Sequence, residues 1–166
     1  MLPSRVVAPL STLPVVDSSL FEEVADALRG MLPNELGEVR LRVRRYGLKA
    51  WFGPADPPRE HYEAQVVGAA DVRDASVLAL EIGFHAEHSK AADNTKVLDR
   101  IVDHEAEWRP VITDAVAGDF IGRAKNWRRV SETWPDPDLG DPELAIEVAA
   151  LLADYITALE PLRAAR

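Results

Sequence analysis

Residues 77–85, VLALEIGFH, alternate strictly in polarity. Leu78, Leu80, Ile82 and Phe84 fall on one side of an extended chain, and Ala79, Glu81, Gly83 and His85 on the other. A strand of this kind needs cover on one face only, which is the pattern of an antiparallel sheet backed by helices. Two earlier segments repeat it. Tyr62, Ala64 and Val66 oppose His61, Glu63 and Gln65, and Val39, Leu41 and Val43 oppose Arg40, Arg42 and Arg44. Gly47 is expected to bend or bulge the earliest strand before a second segment, LKAWF. The proline-rich run at residues 53–60 breaks the chain.

Helical spacing accounts for most of the rest. Leu20, Val24, Ala27, Leu28 and Met31 make one face of a helix that starts at Ser18 or Ser19 and stops by Gly30 and Pro33. Ser89 is the expected N-cap of a second helix with an inward stripe of Val97, Leu98, Ile101, Val102, Glu105 and Trp108. Pro110 should kink it, with Val111, Ile112, Ala115 and Val116 continuing the apolar pattern to Gly118. WRRVSETW at 127–134 reads as a strand and PDPDLGDP as a linker. Asp141 caps a last helix whose Leu144, Val148, Leu151, Leu152, Tyr155, Ile156 and Leu159 face inward. The expected fold is α+β: a two-layer sandwich, one antiparallel sheet with helices packed on one face. It forms a single domain over residues 1–166, and prolines at 3, 9 and 14 make 1–16 an extended arm.

Composition narrows the function. The chain has no cysteine, so thiolate metal sites, disulfides and cysteine nucleophiles are excluded together. A formal net charge of −9 disfavours nucleic acid as a partner, despite basic clusters at 40–45 and 122–129. No apolar run approaches the roughly 18 residues of a membrane span, and the N-terminal stretch lacks a small-residue cleavage pattern. The expectation is a cytoplasmic protein without a membrane partner. There is no G-x-S-x-G, G-x-G-x-x-G or phosphate-loop motif, so no catalytic residue and no cofactor is assigned.

From LEIGFH onward, an Asn-containing helix (DNTKVLDRIVDHEAEW), a basic strand ending in WRRVSE and a closing amphipathic helix follow in order. Over residues ~77–160 this layout resembles an uncharacterised domain family, DUF4268, often fused to restriction-type nucleases. The resemblance implies an α+β module that works beside, or binds to, other machinery. It brings no catalytic residues.

The polar sheet face carries the candidate site. If the three strands are neighbours, Arg40, Arg42, Arg44, His61, Glu63, Gln65, Glu81 and His85 share one surface. A solvated Arg–Glu lattice accounts for such a face by itself. As a binding surface, Arg42, Arg44, His61, Glu63, Glu81 and His85 would take an anionic or polar ligand. The leading expectation is a non-enzymatic binding domain that meets a protein partner or self-associates into a homo-oligomer. The alternative is a metal-dependent hydrolase or nuclease-like enzyme using Glu63, Glu81, His85 and His88, in which Glu81, His85 and His88 are the metal candidates and His61 is available from the adjoining strand. A nuclease reading would pair Asp56 with Glu63-x-Gln65, where glutamine stands in place of the usual lysine.

Overall fold

The computed structural model describes Val16 and residues 19–165. The expected arm lies outside the described residues except for Val16, which is buried. Six strands form one antiparallel sheet: β1 (Arg40–Arg44), β2 (Gly47–Trp51), β3 (Glu60–Gly68), β4 (Leu78–Ala86), β5 (Val116–Asp119) and β6 (Arg128–Pro135). Their spatial order is β1-β2-β3-β4-β6-β5. The helices are α1 (Ser19–Met31), α2 (Ala91–Val102), α3 (Glu105–Trp108) and α4 (Leu144–Ala164). No described helix is long and apolar enough to cross a membrane.

Alternation sorts the two faces as expected, except that Val43, expected on the apolar face of the first strand, is exposed, as is Met31 at the end of α1. Leu48, Ala64, Leu80, Ile82, Phe84 and Val130 join one core with Phe21, Val24 and Leu28 of α1, Val97 and Ile101 of α2, and Val148, Leu152 and Ile156 of α4. Each large apolar side chain sealed there stabilises the fold by roughly 1.5–3 kcal/mol. β4 is the strand between β3 and β6, and all nine of its residues are buried. The two-layer α+β arrangement is therefore built as the polarity pattern required.

Local expectations fail where long-range bonds intervene. Gly47 neither bends nor bulges a strand. The chain reverses at Arg45 and Tyr46, and Arg44 pairs with Gly47 across a tight hairpin. No Asn-Gly or Asp-Gly step marks that turn. The second helix begins after Lys90, not Ser89, and Val102 is exposed. It ends at Val102, where the Trp108 indole N–H donates to Ile101 O at 2.7 Å. Residues 111–116 do not extend it. The Arg109 guanidinium donates to Thr113 O and Ala115 O, and Val116 starts edge strand β5, pairing with Ser131. Val111 and Val116 are exposed, whereas Ile112 and Ala115 do reach the core, but from a turn and not from a helix. Asp141 does accept from Glu143 N at 2.9 Å, one turn ahead of α4.

Two small features hold the sheet together. Gly83 has φ +155°, and a Cβ there would run into Val130 O and Ser131 of β6. Replacing Gly83 by Ala should destabilise the fold by at least about 1–3 kcal/mol, the usual cost of overpacking, as read by urea unfolding. Asp136 sits in the left-handed region at φ 47°. Its carboxylate accepts N–H bonds from Val77 at 2.8 Å and Ser76 at 2.7 Å, tying the entry of β4 to the exit of β6. Those bonds, from Val77 first, hold its carboxyl below the ordinary value of 3.8. A lowered carboxylate contributes stability above that ordinary value and loses it as pH falls through the folded one. Asp136→Asn keeps a side chain that tolerates positive φ. The stability gap between wild type and variant should therefore be widest near neutral pH and close as pH falls below 3.8, as measured by melting temperature across pH.

Candidate metal centre

The sheet register carries the polar residues onto one face. One row runs Arg42, Lys49, Glu63, Gly83 and Ser131; the next runs Arg44, Gly47, Gln65, Glu81 and Thr133. His61 pairs directly with His85. The structure thus brings together His61, Glu63, Glu81 and His85, with Arg42 and Arg44 on the flank. The centre of this face is not solvated, however. His61, Glu81 and His85 are fully buried and Glu63 nearly so. The Phe120 ring meets His85 edge-on at 4.9 Å, and Trp127 packs on Phe120.

Two H-x-E segments run past each other here: His61-x-Glu63 on β3, and His85-x-Glu87 at the end of β4. Glu63 faces Gly83, while Glu87 N bonds Arg59 O at 2.7 Å and prolongs the ladder. The two carboxylates therefore approach the histidine pair from opposite sides. Glu63 Oε2 lies 3.0 Å from His61 Nε2 and 3.0 Å from His85 Nδ1. Glu87 Oε2 lies 3.2 Å from each of the same nitrogens. The four atoms form a closed ring of alternating nitrogen and oxygen, all within 4.8 Å of one another.

Hydrogen bonds alone satisfy such a ring poorly. Each nitrogen faces two carboxylate oxygens, and a single N–H proton points well at only one of them. Around one ion with bonds of roughly 2.0–2.2 Å, donors set roughly 90–109° apart stand roughly 2.8–3.6 Å from each other, a range that takes in the ring edges. Two carboxylates and two neutral imidazoles also carry the charge that a dication balances.

The ring is supported from behind. His85 Nε2 lies 3.0 Å from Glu81 Oε2, so an Nε2–H donor leaves Nδ1 free as a ligand. Ser131 Oγ donates to Glu81 at 2.7 Å, Gln65 donates to it at 2.9 Å, and Arg129 donates to Ser131. His61 Nδ1, by contrast, is buried with no hydrogen-bond partner among the described residues.

Ionisation follows from these contacts. Burial would raise Glu63, but hydrogen bonds from His61 and His85 hold it down at about 2. Burial opposes the same effect at Glu87 and Glu81, whose carboxyls are likewise held below their ordinary value by the neighbouring histidines. For His85 burial acts downward and is outweighed by Glu81, Glu63 and Glu87, so the imidazolium is favoured while no ion is bound, and a metal on Nδ1 would have to displace that proton.

Other expected residues lie elsewhere. His88 Nε2 pairs with Glu60 at 2.8 Å, outside the ring. Glu81 stands behind His85 as its partner, not inside the ring. Asp56 is exposed and taken up by Arg42 at 2.6 Å, so it does not join Glu63. Glu87 was not singled out in the sequence. Its signal was the period of two itself, which places residues 81, 83, 85 and 87 on one face. No family model, curated protein or solved structure matches the chain.

Truncating Glu81 to Ala leaves His85, Ser131 and Gln65 facing a buried gap. We expect a loss of about 1–3 kcal/mol in the chelator-treated protein by urea unfolding, and a smaller loss for Glu81→Gln.

Proposed function

We propose that the protein is a metal-dependent enzyme. Its centre takes one divalent first-row transition ion on His61 Nε2, Glu63 Oε2, His85 Nδ1 and Glu87 Oε2. The closed ring of two nitrogens and two oxygens, with edges of 3.0–3.2 Å, carries this reading. Mixed imidazole and carboxylate donors without sulfur suit zinc, manganese or iron. A bound ion would supply Lewis-acid chemistry of the kind used in hydrolysis.

The protein's own residues set the conditions for it. Glu81 orients His85 and keeps its Nδ1 turned to the ring. Phe120 excludes water from the His85 side, which strengthens every charge interaction inside. A plain interaction surface is less well supported, because all four donors are buried or nearly so, and His85 lies against Phe120. The binding role expected for Arg42 and Arg44 fits better as the flank of this centre.

The test is metal uptake. Chelator-treated protein should take up one Zn²⁺, Mn²⁺ or Fe²⁺ per chain by native mass spectrometry. At an ion concentration about 100 times the dissociation constant, stability should rise by about 2.7 kcal/mol. His85→Ala and Glu87→Ala should abolish uptake, and His88→Ala should leave it intact. Glu81→Gln should weaken affinity about 10–100-fold. Failure to retain any of these ions stoichiometrically, or uptake indifferent to His85 and Glu87, would overturn the proposal.

A further inference from the structure

A cleft of about 500 Å³ opens beside the centre, lined by Arg42, Arg44, Arg45 and Lys49 with Glu63, and by Tyr46. Glu63 is the shared wall, since its Oε2 belongs to the ring. Gly47 makes the hollow. It stands between Arg44 and Gln65 in the sheet register, and a Cβ there would press on Ala64 O and Gln65 Cβ at 3.1 Å. The local charge is opposite to that of the whole chain. The sequence has 28 acidic and 19 basic residues, yet the cleft has four cations and one carboxylate. A cleft lined by one sign of charge concentrates ligands of the other.

The cations are not equally available. Arg42 is engaged by Asp56 and stacks on Trp51. Arg45 lies over the Tyr46 ring. Lys49 Nζ is 3.9 Å from Glu87 Oε1, which places it between cleft and ring. Arg44 has no hydrogen bond or ion pair among the described residues, so its guanidinium fork is open to a ligand.

We propose that this cleft binds a small organic oxyanion, a carboxylate or a phosphate ester. Its anionic group sits between Arg44 and Lys49, its body lies against Tyr46 and Val66, and its far end reaches the Glu63 side of the ring. What the far end meets rests on the metal reading above; the anion pocket itself does not. The volume suits a small molecule and not a polymer.

The experiment uses the full chain loaded with Mn²⁺ and two probes, inorganic phosphate and benzoate. Binding is read by paramagnetic relaxation of ³¹P and ¹H. At least one probe should bind with enhanced relaxation, and which one does identifies the anionic group. Arg44 is exposed at the end of an edge strand, so Arg44→Ala should keep the fold and its Mn²⁺ uptake. It should weaken probe binding at least about tenfold, and Arg44→Lys should recover part of the loss. The proposal is overturned if neither probe binds the loaded protein, or if Arg44→Ala binds as wild type does. If the chain takes up no Mn²⁺, the pocket is judged alone, and the metal reading is decided separately by Zn²⁺ and Fe²⁺ uptake. Amide shifts at Gly47 and Gln65 in the metal-free protein then decide: Arg44-dependent binding supports the pocket, and no binding overturns it.

Discussion

Burial of five ionisable side chains in the middle of a sheet is the constraint that the rest of the molecule answers to. Charged groups removed from water are costly unless each finds a partner. Here the partners are arranged in depth. His61 and His85 meet Glu63 and Glu87 in a ring; Glu81 backs His85; Ser131 and Gln65 back Glu81; and Arg129 backs Ser131. Such a chain of bonds fixes the strands' register, because a slip of one residue would turn every member to the apolar side.

Glycine positions make this possible. On β4, Gly83 lies between Glu81 and His85 on the polar face and lets β6 come close enough for Ser131 to reach Glu81. On β2, Gly47 leaves open the floor of the cationic cleft. A side chain at either point would push the neighbouring strand away or fill the space. The apolar face meanwhile supplies the stability that a buried polar centre draws on, through the packing of α1, α2 and α4. The apolar core and the buried polar cluster are thus separated by the two faces of one pleat.

Much of this was legible beforehand. Three strands of alternating polarity gave away both faces of the sheet, and His61, Glu63, Glu81 and His85 were placed on one surface from parity alone. Glu87 was missed because the strand was taken to end at His85, although the period of two ran one step further. His88 looked like a ligand because it lies near His85 in sequence, but it falls on the opposite parity and turns to Glu60. The hairpin at Arg45 and Tyr46 carried no turn signature. Val116 became a strand through its pairing with β6, a contact invisible in a local window.

Sequence by itself determined which side chains share a face, because alternation is a property of the extended backbone and needs no partner. It also determined the fold class, since one-sided strands and one-sided helices have few ways to cover each other. Only the tertiary structure decided that the polar face closes over at its centre instead of remaining wet. That depends on Phe120, Trp127 and the loop before β6 folding across it. Only the tertiary structure decided which donors converge. Distances of 3.0–3.2 Å between side chains on two strands depend on register, and register is set by pairing along the whole length of the sheet.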